Sequence, residues 1–120
     1  MTYAQIVAKL RGIKTLHEFE SLAQDSLTAA FPFIEWGHAR YHHKPLPEQM
    51  SPLESRDSSR AVVILAADAI GPNAHGLIWD QLNALEGPGT GYRLFTLSPA
   101  TETLAAALAV IKWKEEGDGR

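Results

Sequence analysis

The first part of the chain repeats apolar and polar positions with the period of a helix. Apolar side chains recur at intervals of three and four over residues 3–10, and Gly12 follows where such a helix would end. A second stripe starts after Thr15, which has the spacing of a capping box with Glu18, and Pro32 limits its length. These patterns predict two amphipathic helices before residue 32.

The pattern changes in the middle of the chain. Residues 61–67, AVVILAA, are apolar at every position, which is typical of a central strand covered on both faces. Around it we predict strands over 33–43 and 92–97, a helix over 76–85, and a last helix that begins at Ser98. The apolar positions of that last helix are Leu104, Leu108, Ile111 and Trp113.

This order of elements, α-α-β-β-α-β-α, predicts a small α/β protein, with an α+β fold as the alternative. The strand–helix–strand stretch would form one βαβ unit in a mixed sheet of three to four strands, with helices packed on it. The position and direction of the strand at 33–43 stay open. We expect one domain over residues 1–120, with a proline- and serine-rich loop at 44–59 and a frayed tail at 115–120.

Composition removes several classes of protein. The chain has no cysteine, which excludes disulfides, thiolate metal sites and cysteine nucleophiles. No signal-peptide pattern and no apolar run long enough to span a bilayer is visible, so we expect a soluble, cytoplasmic protein without membrane contact. The net charge of −3 arises entirely in residues 61–120, which carry four basic and seven acidic side chains. This acidity disfavours a generic nucleic-acid-binding role.

Polar side chains follow the two central predicted strands. Asp68 and His75 come after residues 61–67, and Ser98 follows the other strand. Because ligands of open α/β sheets bind beyond the carboxyl ends of parallel strands, these three residues are candidates for an orienting acid, a general base and a nucleophile. Asn73 is a candidate ligand-binding residue at the same edge. The simpler interpretation, which we favour, is that Asn73 and Ser98 cap helices.

A second candidate is the aromatic–basic segment, residues 36–44, WGHARYHHK. Its candidate binding residues are Trp36, His38, Arg40, Tyr41, His42, His43 and Lys44. Aromatic rings beside cationic groups could stack on bases and contact phosphates, which makes single-stranded nucleic acid one hypothesis. Pairing of an edge strand with a protein partner or a second copy of the chain is the favoured one.

The same segment offers a weak metal site. His38 and His42 would project from one face of a strand and could both bind zinc. A third ligand is missing on that face, and Arg40 between them would repel a cation. His38 and His42 therefore stay weak candidates for a metal site, and we predict no cofactor.

Taken together, the sequence favours a non-enzymatic binding or interaction module centred on the strand at 33–44 and the loop at 44–59. The alternative is a small hydrolase or transferase at the ends of the strands 61–67 and 92–97. A single-stranded nucleic-acid binder is the second alternative.

Overall fold

A computed structural model describes residues 1–32, 53, 56–86 and 98–117. Every regular element within these ranges is an α-helix, and no described residue lies in a strand. The five helices are α1 (Tyr3–Arg11), α2 (Leu16–Ala30), α3 (Arg56–Ile70), α4 (Ala74–Glu86) and α5 (Pro99–Glu115). The prediction of an α/β or α+β fold with a three- to four-stranded sheet is therefore wrong.

Helices α1 and α2 lie where the sequence pattern predicts them. The Thr15 hydroxyl accepts the Glu18 backbone N–H at 3.1 Å, and this bond satisfies an amide that the start of a helix otherwise leaves unpaired. The Glu18 carboxylate accepts the Thr15 hydroxyl at 3.1 Å. A full capping box occurs instead at the start of α1, between Thr2 and Gln5, where the sequence analysis did not predict one.

The apolar run 61–67 is the middle of helix α3, not a strand. Its buried positions continue outside the run at Ser58, Ser59 and Ile70, and their spacing of three and four is helical. The proline- and serine-rich stretch predicted as a loop over 44–59 is shorter than expected, because residues 56–59 already belong to α3. The rest of that stretch, apart from Leu53, lies outside the described residues.

A tight turn joins α3 to α4. Gly71 has φ +92°, a conformation that a side chain would make costly, and its N–H donates to the Ala67 carbonyl at 2.9 Å. Only Pro72 and Asn73 separate this glycine from the start of α4. The short turn keeps the two helices adjacent.

Helix α5 forms the centre of the protein. Every residue from Ala100 to Ile111 is buried, and all four other helices contact this helix. A helix that is buried on all sides cannot show an amphipathic pattern, and its many alanines allow neighbouring helices to approach closely. Its start at Pro99, after Ser98, is confirmed.

Two of the predicted strands, 33–43 and 92–97, lie outside the described residues. None of the described helices combines the length and apolar composition needed to cross a membrane.

Candidate ligand pocket

A pocket of about 320 Å³ opens between α3 and α4 and is closed at one side by α5. Its lining residues are spaced at three and four along each of the outer helices, so each helix contributes one face. They are Arg60, Val63 and Ala67 from α3, His75, Ile78, Trp79 and Leu82 from α4, and Glu102 from α5. Five of these eight side chains are apolar. The pocket is thus an apolar cleft with a few polar groups, the usual form of a small-molecule site.

The polar end of the pocket is built around the Glu102 carboxylate, which is only 4% exposed. Its Oε1 accepts the Ser59 hydroxyl at 2.6 Å, and its Oε2 accepts the Arg60 Nε–H at 2.9 Å. Arg56 Nη1 lies 3.6 Å from the same Oε2. These four residues, Ser59, Arg56, Arg60 and Glu102, are called the carboxylate cluster below.

The carboxylate cluster explains how a charge is tolerated inside the protein. A buried carboxylate without partners is strongly unfavourable, so its bonds to Ser59 and Arg60 are needed to hold it there. Glu102 also lies in the first turn of α5, where the helix dipole favours a negative charge. The two arginines are partly exposed, at 33% for Arg56 and 46% for Arg60, so the cluster reaches from the core to solvent.

Helix α4 supplies an aromatic wall to the pocket. The rings of His75 and Trp79, one helical turn apart, are stacked with their centroids 6.5 Å apart and their planes 10° from parallel. Trp79 is half-buried and His75 is exposed, so the pair runs from the pocket wall to its rim. The structure thus places Trp79 in the pocket lining.

The residues predicted at a sheet edge lie in a different setting. Asp68 is an exposed residue of α3, and Asn73 lies in the turn before α4, where its carbonyl accepts the Leu77 N–H at 3.2 Å. The Ser98 hydroxyl accepts the Thr101 N–H at 3.1 Å and therefore caps α5. The strand end that motivated a hydrolase or transferase is absent at residues 61–67, since these are helical. Of the three catalytic candidates, His75 alone lines the pocket.

Asn73 borders a second cleft, a wider one of about 630 Å³ between the start of α4 and the end of α5. Its lining includes the carboxylates of Asp80 and Glu116, both exposed. Within the described ranges no group of three or more histidine or acidic side chains is placed to hold a metal ion. Among the described residues that line this cleft, none is a buried polar group like Glu102 in the smaller pocket.

The aromatic–basic segment, residues 36–44, lies outside the described residues. The binding roles predicted for Trp36, His38, Arg40, Tyr41, His42, His43 and Lys44 stay predictions, and so does the weak zinc site of His38 and His42.

Sequence reasoning missed the carboxylate cluster, although a signal was present. Arg56, Ser59 and Arg60 have the spacing of one helical face, but they were assigned to a loop and a strand boundary. Glu102 is the only charged residue between Pro99 and Ile111, in a stretch otherwise made of small and apolar residues and threonine. A lone carboxylate in such a helix indicates a buried, paired charge.

Comparison with known proteins identifies no relative. No protein-family model matches the chain, and neither a curated protein nor a solved structure shows significant similarity to it. The role of the pocket has to be inferred from its own residues.

Proposed function

We propose that this protein is a binding module that holds a small, largely apolar molecule in the pocket between α3, α4 and α5. The observation that carries this proposal is a cleft whose described lining is mainly apolar but ends on the buried Glu102 carboxylate, each oxygen of which accepts a hydrogen bond. Apolar walls supply affinity, and a few fixed polar groups orient the ligand.

Size limits what the pocket can hold. Its volume of about 320 Å³ lies near the lower end of known ligand sites, which begin at about 300 Å³. An apolar cavity of about 150 Å³ already accepts benzene. A body of one or two fused rings, or a short branched chain, therefore fits this pocket.

Rigidity also supports a binding role. Ile78 and Leu82 are nearly fully buried, and the Trp79 ring is stacked with that of His75. The Arg60 side chain is positioned by its bond to Glu102. Because the buried Ile78 and Leu82 already have fixed positions, ordering them on binding costs little side-chain entropy.

The proposal is tested with naphthamide, a neutral two-ring probe, by NMR titration of the tryptophan indole N–H signals. The Trp79 signal, assigned with Trp79→Phe, should shift on binding, and that of Trp113 on α5 outside the pocket should not. Filling the pocket with Ala67→Phe should weaken the affinity at least about tenfold, because the larger side chain takes the space of the ring.

Ala8→Phe is the matched control, since Ala8 is exposed on α1 and lines a separate cleft between α1 and α2. This variant should bind the probe as the parent does. No shift of the Trp79 signal at millimolar naphthamide, or equal affinities for the parent and a folded Ala67→Phe, would rule the proposal out.

A further inference from the structure

We propose that the corner between α1 and α2 docks this protein on the surface of an anionic lipid bilayer. This corner comprises residues 9–17, KLRGIKTLH, and is called the basic corner below. None of its residues lines the pocket between α3, α4 and α5, so the inference does not depend on the proposed function. It departs from the expectation of no membrane contact, because that expectation rested on the lack of a spanning segment and docking at a surface needs none.

The basic corner is complementary in charge to such a surface. It holds three fixed positive charges, on Lys9, Arg11 and Lys14, and all three side chains are exposed. Residues 1–17 include no acidic residue, although the net charge of the whole chain is −3. Anionic head groups attract such a local group of cations.

The three cations of the basic corner are also unpaired. Within residues 1–32, 53, 56–86 and 98–117, none of these three side chains has a hydrogen bond or an ion pair. The other lysines and arginines of those ranges each contact an oxygen acceptor; they are Arg56, Arg60, Lys112 and Lys114. The basic corner can therefore contact lipid phosphates and carboxylates without first breaking a contact inside the protein.

Leu16 adds an apolar group to the basic corner. Its side chain is 72% exposed, although it starts the apolar stripe of α2, whose later positions are buried or half-buried. Leu10 and Ile13, the other large apolar residues of the corner, pack against the core. An exposed leucine among cations is typical of a segment that lies at a membrane interface, where the cations contact head groups and the apolar side chain enters the acyl boundary.

The exposed leucine favours a bilayer over other anionic partners. Nucleic acid would supply phosphates for the cations, but its backbone offers no apolar environment for Leu16. A stable protein interface buries about 800 Å² on each partner, which is much more than one leucine and its neighbours provide. At a bilayer, transfer of Leu16 out of water adds to the electrostatic attraction.

Negative charges elsewhere in the protein are too distant to cancel this attraction. At physiological salt, exposed charges are screened over about 8 Å, whereas the protein measures 30 Å along its shortest axis. Glu18 and Asp25 border the cleft between α1 and α2 together with Lys9, whereas Arg11 and Lys14 do not line it. Arg11 and Lys14 therefore supply the larger part of the attraction.

The inference is tested by co-sedimentation of the full chain with two kinds of vesicle. One is pure phosphatidylcholine, and the other contains about 30% phosphatidylserine, which makes its surface anionic. The partition coefficient should be at least about tenfold higher on the anionic vesicles, because each lysine or arginine near such a surface strengthens binding about fivefold. Added salt should weaken the binding, since it screens the attraction.

A charge-neutral variant tests the cations. Arg11→Gln combined with Lys14→Gln should lower the partition coefficient on anionic vesicles at least about tenfold. Arg11→Lys combined with Lys14→Arg is the matched control, because it keeps both charges, and it should bind as the parent does.

A second variant tests the apolar contact. Leu16→Gln should lower the partition coefficient on anionic vesicles at least about fivefold, because less apolar surface leaves water. Ile64→Gln is the matched control, since Ile64 is 62% exposed on α3, a helix that contacts neither α1 nor α2. In bicelles of the same lipids, a nitroxide-labelled lipid should broaden the NMR signals of the Leu16 methyl groups and leave those of Ile64 sharp.

Several outcomes would overturn the inference. Absence of binding, equal partition on the two kinds of vesicle, or an unchanged partition coefficient in the charge-neutral variant would each do so. A loss from Ile64→Gln as large as that from Leu16→Gln would remove the role of the basic corner. Binding of a single-stranded oligonucleotide in place of the vesicles, at an affinity that Leu16→Gln leaves unchanged, would assign the cations to nucleic acid instead.

Discussion

Three hydroxyl side chains close the starts of helices: Thr2 at α1, Thr15 at α2 and Ser98 at α5. Each accepts a backbone N–H from the residue three positions later. Two of these caps were readable in the sequence, because Thr15 and Ser98 precede long helical patterns. The third was missed, because the apolar stripe that predicts α1 begins at Tyr3, after the Thr2 cap.

The capping role of Ser98 can be tested by substitution. As a cap, Ser98→Ala should destabilise the protein by about 1 kcal/mol, which lowers the melting temperature by about 4 °C. Ser98→Asp should restore most of this loss, because aspartate also accepts the Thr101 N–H and its charge suits the start of a helix. Thermal unfolding of both variants provides the measurement. Equal loss of stability in Ser98→Ala and Ser98→Asp would contradict the capping role.

The residues of the candidate pocket were less predictable than the caps. A cap depends on neighbours in sequence, whereas Glu102 acquires its partners from a helix more than forty positions away. His75 was selected for its chemistry, and the structure places it at the pocket beside Trp79. The reason given for selecting it, a sheet edge, was wrong.

At the scale of elements, α3 shows why a helix was taken for a strand. Val62, Val63 and Ile64 are β-branched, which favours strands, and a short apolar run looks the same in a buried strand and a buried helix. Arg60, Ile64 and Asp68 lie on one exposed face of α3, and Ile64 is 62% exposed. Because an apolar residue occupies this exposed position, the sequence shows no continuous polar face. Burial against α5 outweighs the local preference.

Helix α5 makes a prediction about packing. Ala106 is fully buried where α5 is surrounded by other helices, so Ala106→Leu should cost about 2 to 3 kcal/mol through overpacking. Ala84→Leu on α4 is the matched control, because Ala84 is exposed. Alanine and leucine have similar helix propensity, so this change should alter stability little. Urea unfolding should show a lower midpoint for Ala106→Leu alone. Equal midpoints for the two variants would mean that α5 is not packed on all sides.

At the scale of the whole molecule, contacts with α5 tie distant parts of the chain together. The Lys114 ammonium donates to the Ala30 carbonyl at 3.0 Å, at the end of α2. The Glu115 carboxylate accepts the Tyr3 N–H at 2.8 Å, at the start of α1. Since the central helix contacts each of its neighbours, none of α2, α3 and α4 can leave without exposing buried residues of α5.

Helix α1 is attached less firmly than the rest. Ile6 is its one buried residue, and the partly buried Tyr3 and Leu10 also pack against the core. The Tyr3 hydroxyl donates to Gln81 at 3.1 Å, and Lys112 lies 5.5 Å from the Tyr3 ring centre. Local opening of α1 therefore exposes little apolar surface, whereas opening of α5 requires the core to separate.

This difference predicts the order of amide hydrogen exchange. Amides in the middle of α5, around Leu104 to Leu108, should exchange only through global unfolding, with a free energy equal to that from urea unfolding. Amides of α1 should exchange at least about tenfold faster, because Ile6 is the one fully buried side chain of that helix. Ile6→Ala should speed amide exchange in α1 further. In this variant the free energy of exchange in α5 should still equal the free energy of urea unfolding. If the α1 amides were as protected as those of α5, the first helix would belong to the same cooperative unit, and the contacts of Tyr3 with Glu115 and Gln81 would have to be much stronger than hydrogen bonds usually are.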